Sequence, residues 1–432
     1  MGSTHTYDRT LEIAVVGGSL GGLCAGIVLK TFGHNVTILE RNPTKLLQNQ
    51  GAGIVAGGDT LDFMMTYNRC SRPIAVQSQA RMYLDKTGKV VHRVDMQQNM
   101  TSWDLTYYLL RANFDAVESD YCQVPPPRDS DGKTEYRYDS KVTGVDDLGD
   151  QVKVKYQRSD GTEESVTADL VIGADGPSST VRKMLCPGVE RTMTGYCALR
   201  GTIPENEGSA EAKEVFQERF TFFHDDGIQI LAYLIPGKNG TIKPGERLIN
   251  FVWYYNFPVE SKEFAELMTD VDGETHHITM PPGKMRPDVW ERYKQVARDR
   301  MPPQFAEVIC KTKYPFAQAV TDVISPKQSF LNGKVLLIGD ALAGFRPHTV
   351  ASTSQAAYDA LVLAELISGR ITHDEFVQQT MQFARLIQNR GVQMGQRSQF
   401  GKNVPLEDHI ADRNLASTKR QDEIYPEWTR VF

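Results

Sequence analysis

The chain has 432 residues, 40% of them hydrophobic and 24% charged, with 48 basic and 54 acidic residues for a net charge of −6. That length exceeds one typical core and predicts more than one domain, while the composition is ordinary for a globular protein. No basic surplus or Lys/Arg run favours nucleic acid, no apolar stretch nears the roughly 18 residues that span a bilayer, and the N-terminus has no signal-peptide core. Cys24, Cys70, Cys122, Cys186, Cys197 and Cys310 are scattered without CxxC spacing, which argues against a disulfide framework and against a zinc site. A reducing compartment and a cytoplasmic location are expected, with no metal.

Ile13 to Val16 has the length and β-branching of a buried strand. Gly17-Gly18-Ser19-Leu20-Gly21-Gly22 follows, then Leu23, Ile27 and Val28 at helical spacing, then the apolar run Val36 to Leu39 ending in Glu40. Strand, glycine turn, helix, strand and acid form the βαβ unit of a dinucleotide site. Gly17 permits the sharp turn, small residues let a pyrophosphate approach the main chain, and the helix N-terminus offers free N–H groups. The Glu40 carboxylate suits ribose hydroxyls and disfavours a 2′-phosphate, so FAD or NAD is expected rather than NADP. Ser19 replaces the second glycine of the G-x-G-x-x-G pattern.

Further along, Gln50 to Ile54 is a second glycine cluster, and residues 81–94 read as two strands around a turn. Residues 101–114 read as a helix capped by Thr101 or Ser102. Residues around Pro125–Lys133 form a loop, and Val142 to Tyr156 alternate as a hairpin. The run Asp169–Gly176 is a strand ending in Gly-Ala-Asp-Gly, with Ser178 or Ser179 able to cap a helix. Aromatic, β-branched runs at Tyr196–Gly201, Phe220–His224, Ile228–Tyr233 and Leu248–Tyr255 predict an antiparallel sheet. Alternation places Gln229, Leu231 and Tyr233 on one face and Ile228, Ile230 and Ala232 on the other. His276 and His277 fall in a polar loop and are read as surface residues. Lys334 to Asp340 is another strand leading to Gly-Asp, followed by Arg346-Pro347-His348-Thr349 and a small-residue helix from Ala351 to Leu366. Asp374 to about Gln399 has helical spacing. Residues 400–432 are polar and read as a subunit arm or a loose terminus.

Three motifs in this order, the glycine turn, Gly173-Ala174-Asp175-Gly176 with Ser179 and Arg182, and Gly339-Asp340-Ala341 with Pro347, resemble the single-component FAD-dependent aromatic hydroxylases of the para-hydroxybenzoate hydroxylase fold. The similarity covers roughly residues 11–370. Thr101-Ser102-Trp103-Asp104-Leu105, Asn250 to Tyr254 and Arg346 to Thr349 point to the 2,6-dihydroxypyridine 3-hydroxylase-like branch. The resemblance implies an α/β fold: a Rossmann-like FAD-binding domain (1–75, 100–190, 311–372), an inserted antiparallel-sheet substrate domain (76–99, 191–310) and a C-terminal helical tail (373–432).

It also implies that Gly17, Ser19, Leu20, Gly21, Gly22, Glu40 and Arg41 hold the ADP half of FAD. Gly53, Asp175, Arg182, Asp340 and Pro347 join the cofactor site. The chain departs from the family at Ser19 and in three further places, the first being Gln229-x-x-x-Tyr233, where members often carry a His-x-x-x-Tyr pair. Trp103 stands where many members carry a flavin-contacting arginine, for which Arg111 is a substitute, and Val350, Ser352 and Ser354 replace glycines and an asparagine after the proline. The chemistry implied is hydroxylation of an aromatic or heteroaromatic phenol-like substrate with NAD(P)H and O₂ through a flavin C4a-hydroperoxide. A base of near-neutral pKa suits it, so His224 and His348 are the candidates, with Tyr233 as partner and Gln229, Arg200 and Tyr254 as substrate contacts. Three alternatives share the fold: epoxidation or oxidative dearomatisation of a natural-product scaffold, a flavin-dependent reductase, and a non-catalytic FAD-binding protein. A homodimer is expected by base rate.

Overall fold

A computed structural model describes residues 9–44 and 53–418 of the chain; Gln50–Ala52 and the end of the tail from residue 419 lie outside them. Its first layer is a six-stranded sheet ordered Ser329–Phe330, Val335–Leu337, Leu170–Gly173, Glu12–Val16, Asn35–Leu39 and Thr134–Arg137, parallel except for its first pair. The inner strands are continuous apolar runs because both faces are covered, by helices and by a small antiparallel sheet within residues 141–168 whose Val152, Val154 and Tyr156 join the same core. Register aligns Val16 with both Gly173 and Leu39, and Gly173 with Leu337. Gly17, Glu40, Ala174 and Ile338 therefore leave the same carboxyl edge, where ligands bind in open α/β sheets.

The second layer is a ten-stranded sheet. It runs from Thr279–Met280 through Phe316–Ile324, Thr192–Pro204, Leu248–Asn256, Ile228–Ile235, Arg219–Asp225, Val76–Leu84 and Val90–Ser102 to Gly53–Ala56, with Ala343–Gly344 paired off this path. It is antiparallel apart from Arg219–Asp225 beside Val76–Leu84. Gly53–Ala56 and Phe316–Ile324, read from sequence as parts of the nucleotide-binding segments, pair into this sheet. The alternation on Ile228–Ile235 holds. Leu231 and Tyr233 face one core cluster with Tyr254 and Val252, and Ile228, Ile230 and Ala232 face another beneath Trp253 and Trp290.

Three smaller elements were incompletely legible. The hairpin at Val142–Tyr156 gains a third strand, Glu163–Ala168. The helix at 101–114 is Trp103–Asp115, capped by Ser102, whose side chain accepts from the Leu105 N–H. The C-terminal segment is corrected most. After the helix His373–Phe400 the chain turns into a second helix, Leu406–Thr418, whose Leu406 and Ile410 pack on the same aromatic cluster as Tyr233 and Tyr254. As far as residue 418, then, the segment caps its own subunit's sheet. The six cysteines are all free thiols, and His276, in a loop, pairs with Asp270 at 3.0 Å.

Candidate active site

One cleft, about 410 Å³, runs between the two layers. At its nucleotide end lie Ser19, Leu20 and Gly21, the start of helix Leu20–Thr31. Ser19 makes no side-chain cap, so the first-turn N–H groups stay available to a ligand. Gly17 sits at φ +101° with its Cα against the Ala174 carbonyl, where a Cβ would stand 2.5 Å from that oxygen. Gly22 lies against the Gly17 carbonyl, where a Cβ would stand at 1.9 Å; this contact fixes the helix on its strand. The buried Glu40 carboxylate accepts from the Gly18 N–H (2.8 Å) and the Asn42 N–H (2.9 Å), which points it at the turn and leaves lone pairs for further donors. Arg41 beside it is exposed.

Arg111 does not line the cleft. Its guanidinium is bound bidentately by Asp115 (2.9 and 2.7 Å), donates to Tyr107 and Tyr138, and lies 3.7 Å from the Tyr136 ring centroid. Tyr136 in turn donates to the Gly18 carbonyl at 2.9 Å. Arg111 thus supports the glycine turn from behind and is not a substitute flavin contact. Trp103 lines the cleft itself, stacked 4.8 Å from Tyr107.

The second motif is also corrected. Asp175 accepts from the Ser179 hydroxyl and from the Thr180 (2.6 Å) and Val181 (3.2 Å) N–H groups, while Ser179 caps the helix by accepting from the Arg182 N–H. Arg182 is fully buried and donates to the carbonyls of Ala341 and Pro177. Asp175 is spent on its own turn and Arg182 on tying that turn to the loop carrying Ala341, and the cleft wall here consists of Ala174, Gly176 and Pro177.

Asp340 does line the cleft, and its buried Oδ1 has no hydrogen-bond partner among the described residues. Burial pushes its carboxyl up to about 6, opposed by the charge of Arg191 and a hydrogen bond from Ser352. Its loop is clamped from below: the Gly339 N–H donates to Asp359 at 2.8 Å, and Gln355 donates to the Gly339 carbonyl at 3.1 Å. An orphaned acceptor facing a cleft, a helix start without a cap and a braced acid at the second strand end fit a flavin dinucleotide. Pro347 and Val350 line the far end. Val350 stands at φ +53°, ψ +30°, a left-handed conformation that costs a β-branched residue about 1–2 kcal/mol. Ser352 lines the cleft, whereas Ser354 is buried against Thr60.

At the sheet end, Arg200, Leu231, Tyr233, Val252, Tyr254, Gln318 and Val320 form the wall. Arg200 pairs in register with Val252, and Leu231 with Val252 from the other side, so their side chains share one face. Arg200 makes no ion pair among the described residues, and its Nε is buried without a partner. It is the charge that opposes the burial-driven rise of the Tyr233 phenol, and it does the same for Tyr254, which burial holds up at about 12. Gly53 lies at the junction, its N–H donating to Asn250 at 3.2 Å.

Neither histidine candidate reaches this space. His224 stacks on His409 with ring centroids 4.0 Å apart and borders a separate small cavity with Tyr83 and Arg413. His348 is fully buried behind Tyr254, with Nδ1 on Gln229 Oε1 (2.8 Å) and Nε2 on the Tyr196 hydroxyl (3.0 Å). Burial holds both rings well below the ordinary histidine range. The base assignment to either is therefore corrected, and Gln229, committed to His348, is not a cleft residue. Arg191, which donates to Thr321 (2.7 Å) and Ser178 (3.0 Å) at the cleft mouth, was missed, as were Gln318 and Phe345. An isolated arginine before a strand carries no sequence signal.

Residues 193–322 match the family described as FAD binding domain-like. The chain is 32% identical over 84% of its length, and 83% of the relative's, to 2,6-dihydroxypyridine 3-monooxygenase of Paenarthrobacter nicotinovorans. It is 23% identical to 6-hydroxynicotinate 3-monooxygenase of Bordetella bronchiseptica, with 82% of each chain covered. The solved structure of 2,6-dihydroxypyridine-3-hydroxylase from Arthrobacter nicotinovorans superposes with a TM-score of 0.79 at 29% identity, covering 92% of this chain and 94% of that one. A salicylate hydroxylase substrate complex shares the fold at a TM-score of 0.67 and 17% identity, over 96% of this chain and 95% of that one. With the dinucleotide turn, the braced Asp340 and the aromatic sheet joined in one cleft, the chain belongs to the FAD-dependent aromatic hydroxylases, flavoprotein monooxygenases of the para-hydroxybenzoate hydroxylase fold, and FAD is its cofactor.

Proposed function

We propose that the chain uses NAD(P)H and O₂ to hydroxylate a phenol-like aromatic or heteroaromatic ring held between the flavin and the sheet. The observation that carries this reading is the convergence of Arg200, Tyr233 and Tyr254, from three adjacent strands, at the end of a cleft that starts at the glycine turn. Bound FAD supplies the redox chemistry, taking a hydride from the pyridine nucleotide and delivering one oxygen atom of O₂. Glu40 and the first-turn N–H groups hold its nucleotide half, and Asp340 its hydroxylated chain. Leu231, Val252 and Val320 present an apolar wall that packs a flat ring and excludes water.

The ring must be electron-rich to attack oxygen, so its hydroxyl needs to ionise. Among the described residues no histidine stands ready to take that proton. Arg200 performs the task electrostatically: an unpaired cation in a cleft of low polarity stabilises a phenolate, and the Tyr233 and Tyr254 hydroxyls donate to it. The proton leaves to solvent along the cleft. Division into a nucleotide-binding and a sheet domain, a cytoplasmic location and a homodimer belong to the same reading.

The test is a screen of hydroxypyridines, hydroxynicotinates, dihydroxybenzenes and salicylates, the first two suggested by what the relatives are named for. NAD(P)H oxidation and product mass under ¹⁸O₂ are followed together. A product carrying one labelled oxygen is expected. Reductant consumption with no label in any product would replace the reading with a reductase, and a ring-opened or rearranged product would place the enzyme among dearomatising oxygenases.

A further inference from the structure

We infer that Val350 is a specificity-determining residue that limits the substrate compartment to a single aromatic ring. The inference rests on the aromatic-substrate reading above and names a dimension of that same site. Val350 follows the short turn Pro347–Thr349, and its N–H closes that turn on the Pro347 carbonyl at 2.9 Å. The turn forces φ +53° on it, a region where glycine sits freely and a β-branched side chain does not. Strain of this kind persists only where the surroundings over-determine it, and it clusters at ligand clamps.

The surroundings here are specific. Val350 both borders the cleft and packs on the cluster that contains Leu231, Tyr233, Val252 and Tyr254. Its isopropyl group therefore crosses from the loop carrying Pro347 to the aromatic face of the sheet. A glycine would leave the turn unstrained and that span empty. On this inference the side chain bounds the compartment between that loop and the sheet, and its volume separates one ring from a fused pair.

The experiment uses FAD-loaded protein and reads ligand binding, by perturbation of the flavin absorbance, for 1,3-dihydroxybenzene and 1,3-dihydroxynaphthalene. Wild type, V350A and V350G are compared, with a thermal melt of each. Wild type should prefer the single ring. Both variants should move the ratio of the two Kd values toward the bicyclic ligand by about 10-fold or more, the scale on which pocket methyl groups discriminate. V350G should melt no lower than V350A, because it alone loses the strained Cβ. A ratio unmoved in both variants overturns the inference while leaving the aromatic-substrate reading intact. A shift in V350G without one in V350A also overturns it, since loop relaxation and not side-chain volume would then be responsible. If V350G fails to fold, V350A decides. Wild-type protein that holds FAD yet binds neither these ligands nor any hydroxypyridine, hydroxynicotinate or salicylate of the screen defeats the reading and the inference with it.

Discussion

Asp340 is placed where stability is given up for cofactor binding, and D340N exposes the exchange. Burial raises its carboxyl from the usual 3.8 to about 6 in the folded chain. The native state therefore holds the proton more tightly than the unfolded one. Below about pH 3.8 both states are protonated and the group is neutral to stability. As pH rises toward 6 the folded state loses stability, and above 6 the full cost stands. At about 1.4 kcal/mol per pKa unit that cost is at most about 3 kcal/mol, and less where solvent in the open cleft reaches the second oxygen. D340N cannot ionise, so flavin-free D340N should be more stable than flavin-free wild type at pH 7.5 and hardly different at pH 4.5. FAD should reverse the order. A carboxylate whose Oδ1 has no protein partner accepts hydroxyl donors at about 1.5–3 kcal/mol each, so D340N should bind FAD about 10- to 100-fold more weakly. Thermal melts of the flavin-free proteins at the two pH values, with FAD titration by fluorescence quenching, read both halves. If D340N melted lower than wild type at both pH values and bound FAD equally well, Asp340 would be a structural acid and its assignment to the flavin would fall.

Three further outcomes follow from the geometry. R111M should lower stability by about 3–5 kcal/mol by stranding Asp115, yet in folded protein change FAD affinity less than 3-fold; a selective loss of FAD would restore Arg111 as a cofactor contact. Y233F removes a hydroxyl from the substrate wall and should reduce kcat/KM about 10- to 100-fold with FAD binding unchanged, as stopped-flow and flavin titration would show. Because burial holds His224 and His348 neutral, neither should contribute a limb to the pH–rate profile between pH 5 and 8, and H224F should leave its shape as in wild type; a vanished limb would reinstate His224 as a base.

What could be read from the sequence and what could not divide along contact distance. Gly17 to Glu40 was legible because a βαβ unit encodes its own turn, helix and acid within thirty residues, and the parallel register then carries Asp340 to the same edge. Tyr233, Tyr254 and Arg200 were legible because alternation fixes a face once the strands pair. Asp175 and Arg182 lie in an equally clear motif, but a carboxylate followed by Ser179, Thr180 and Val181 can cap the helix with its own neighbours as readily as it can meet a ligand, and here it does. The histidines failed for a longer-range reason. His348 meets Gln229, 119 residues away, and Tyr196, 152 residues away. His224 is covered by a helix so polar that it read as a subunit arm or a loose terminus, although His409 and Ile410 fall on its inner side.

These contacts also explain why Gln229 occupies a strand position where the family often places a histidine. With Gln229 Oε1 as acceptor, His348 Nδ1 carries the proton and Nε2 is left to accept from Tyr196. Both ring nitrogens are satisfied with no charge in a site closed to water, which the flanking Arg346 and Arg413 would penalise further. A carboxylate at 229 would instead favour the imidazolium. Q229E should therefore raise the His348 pKa, observable by NMR, and should bring into the neutral range a titration that burial and the nearby arginines suppress. A His348 resonance that stays untitrated in Q229E down to pH 5 would mean that burial alone, and not the neutral partner, keeps the ring uncharged.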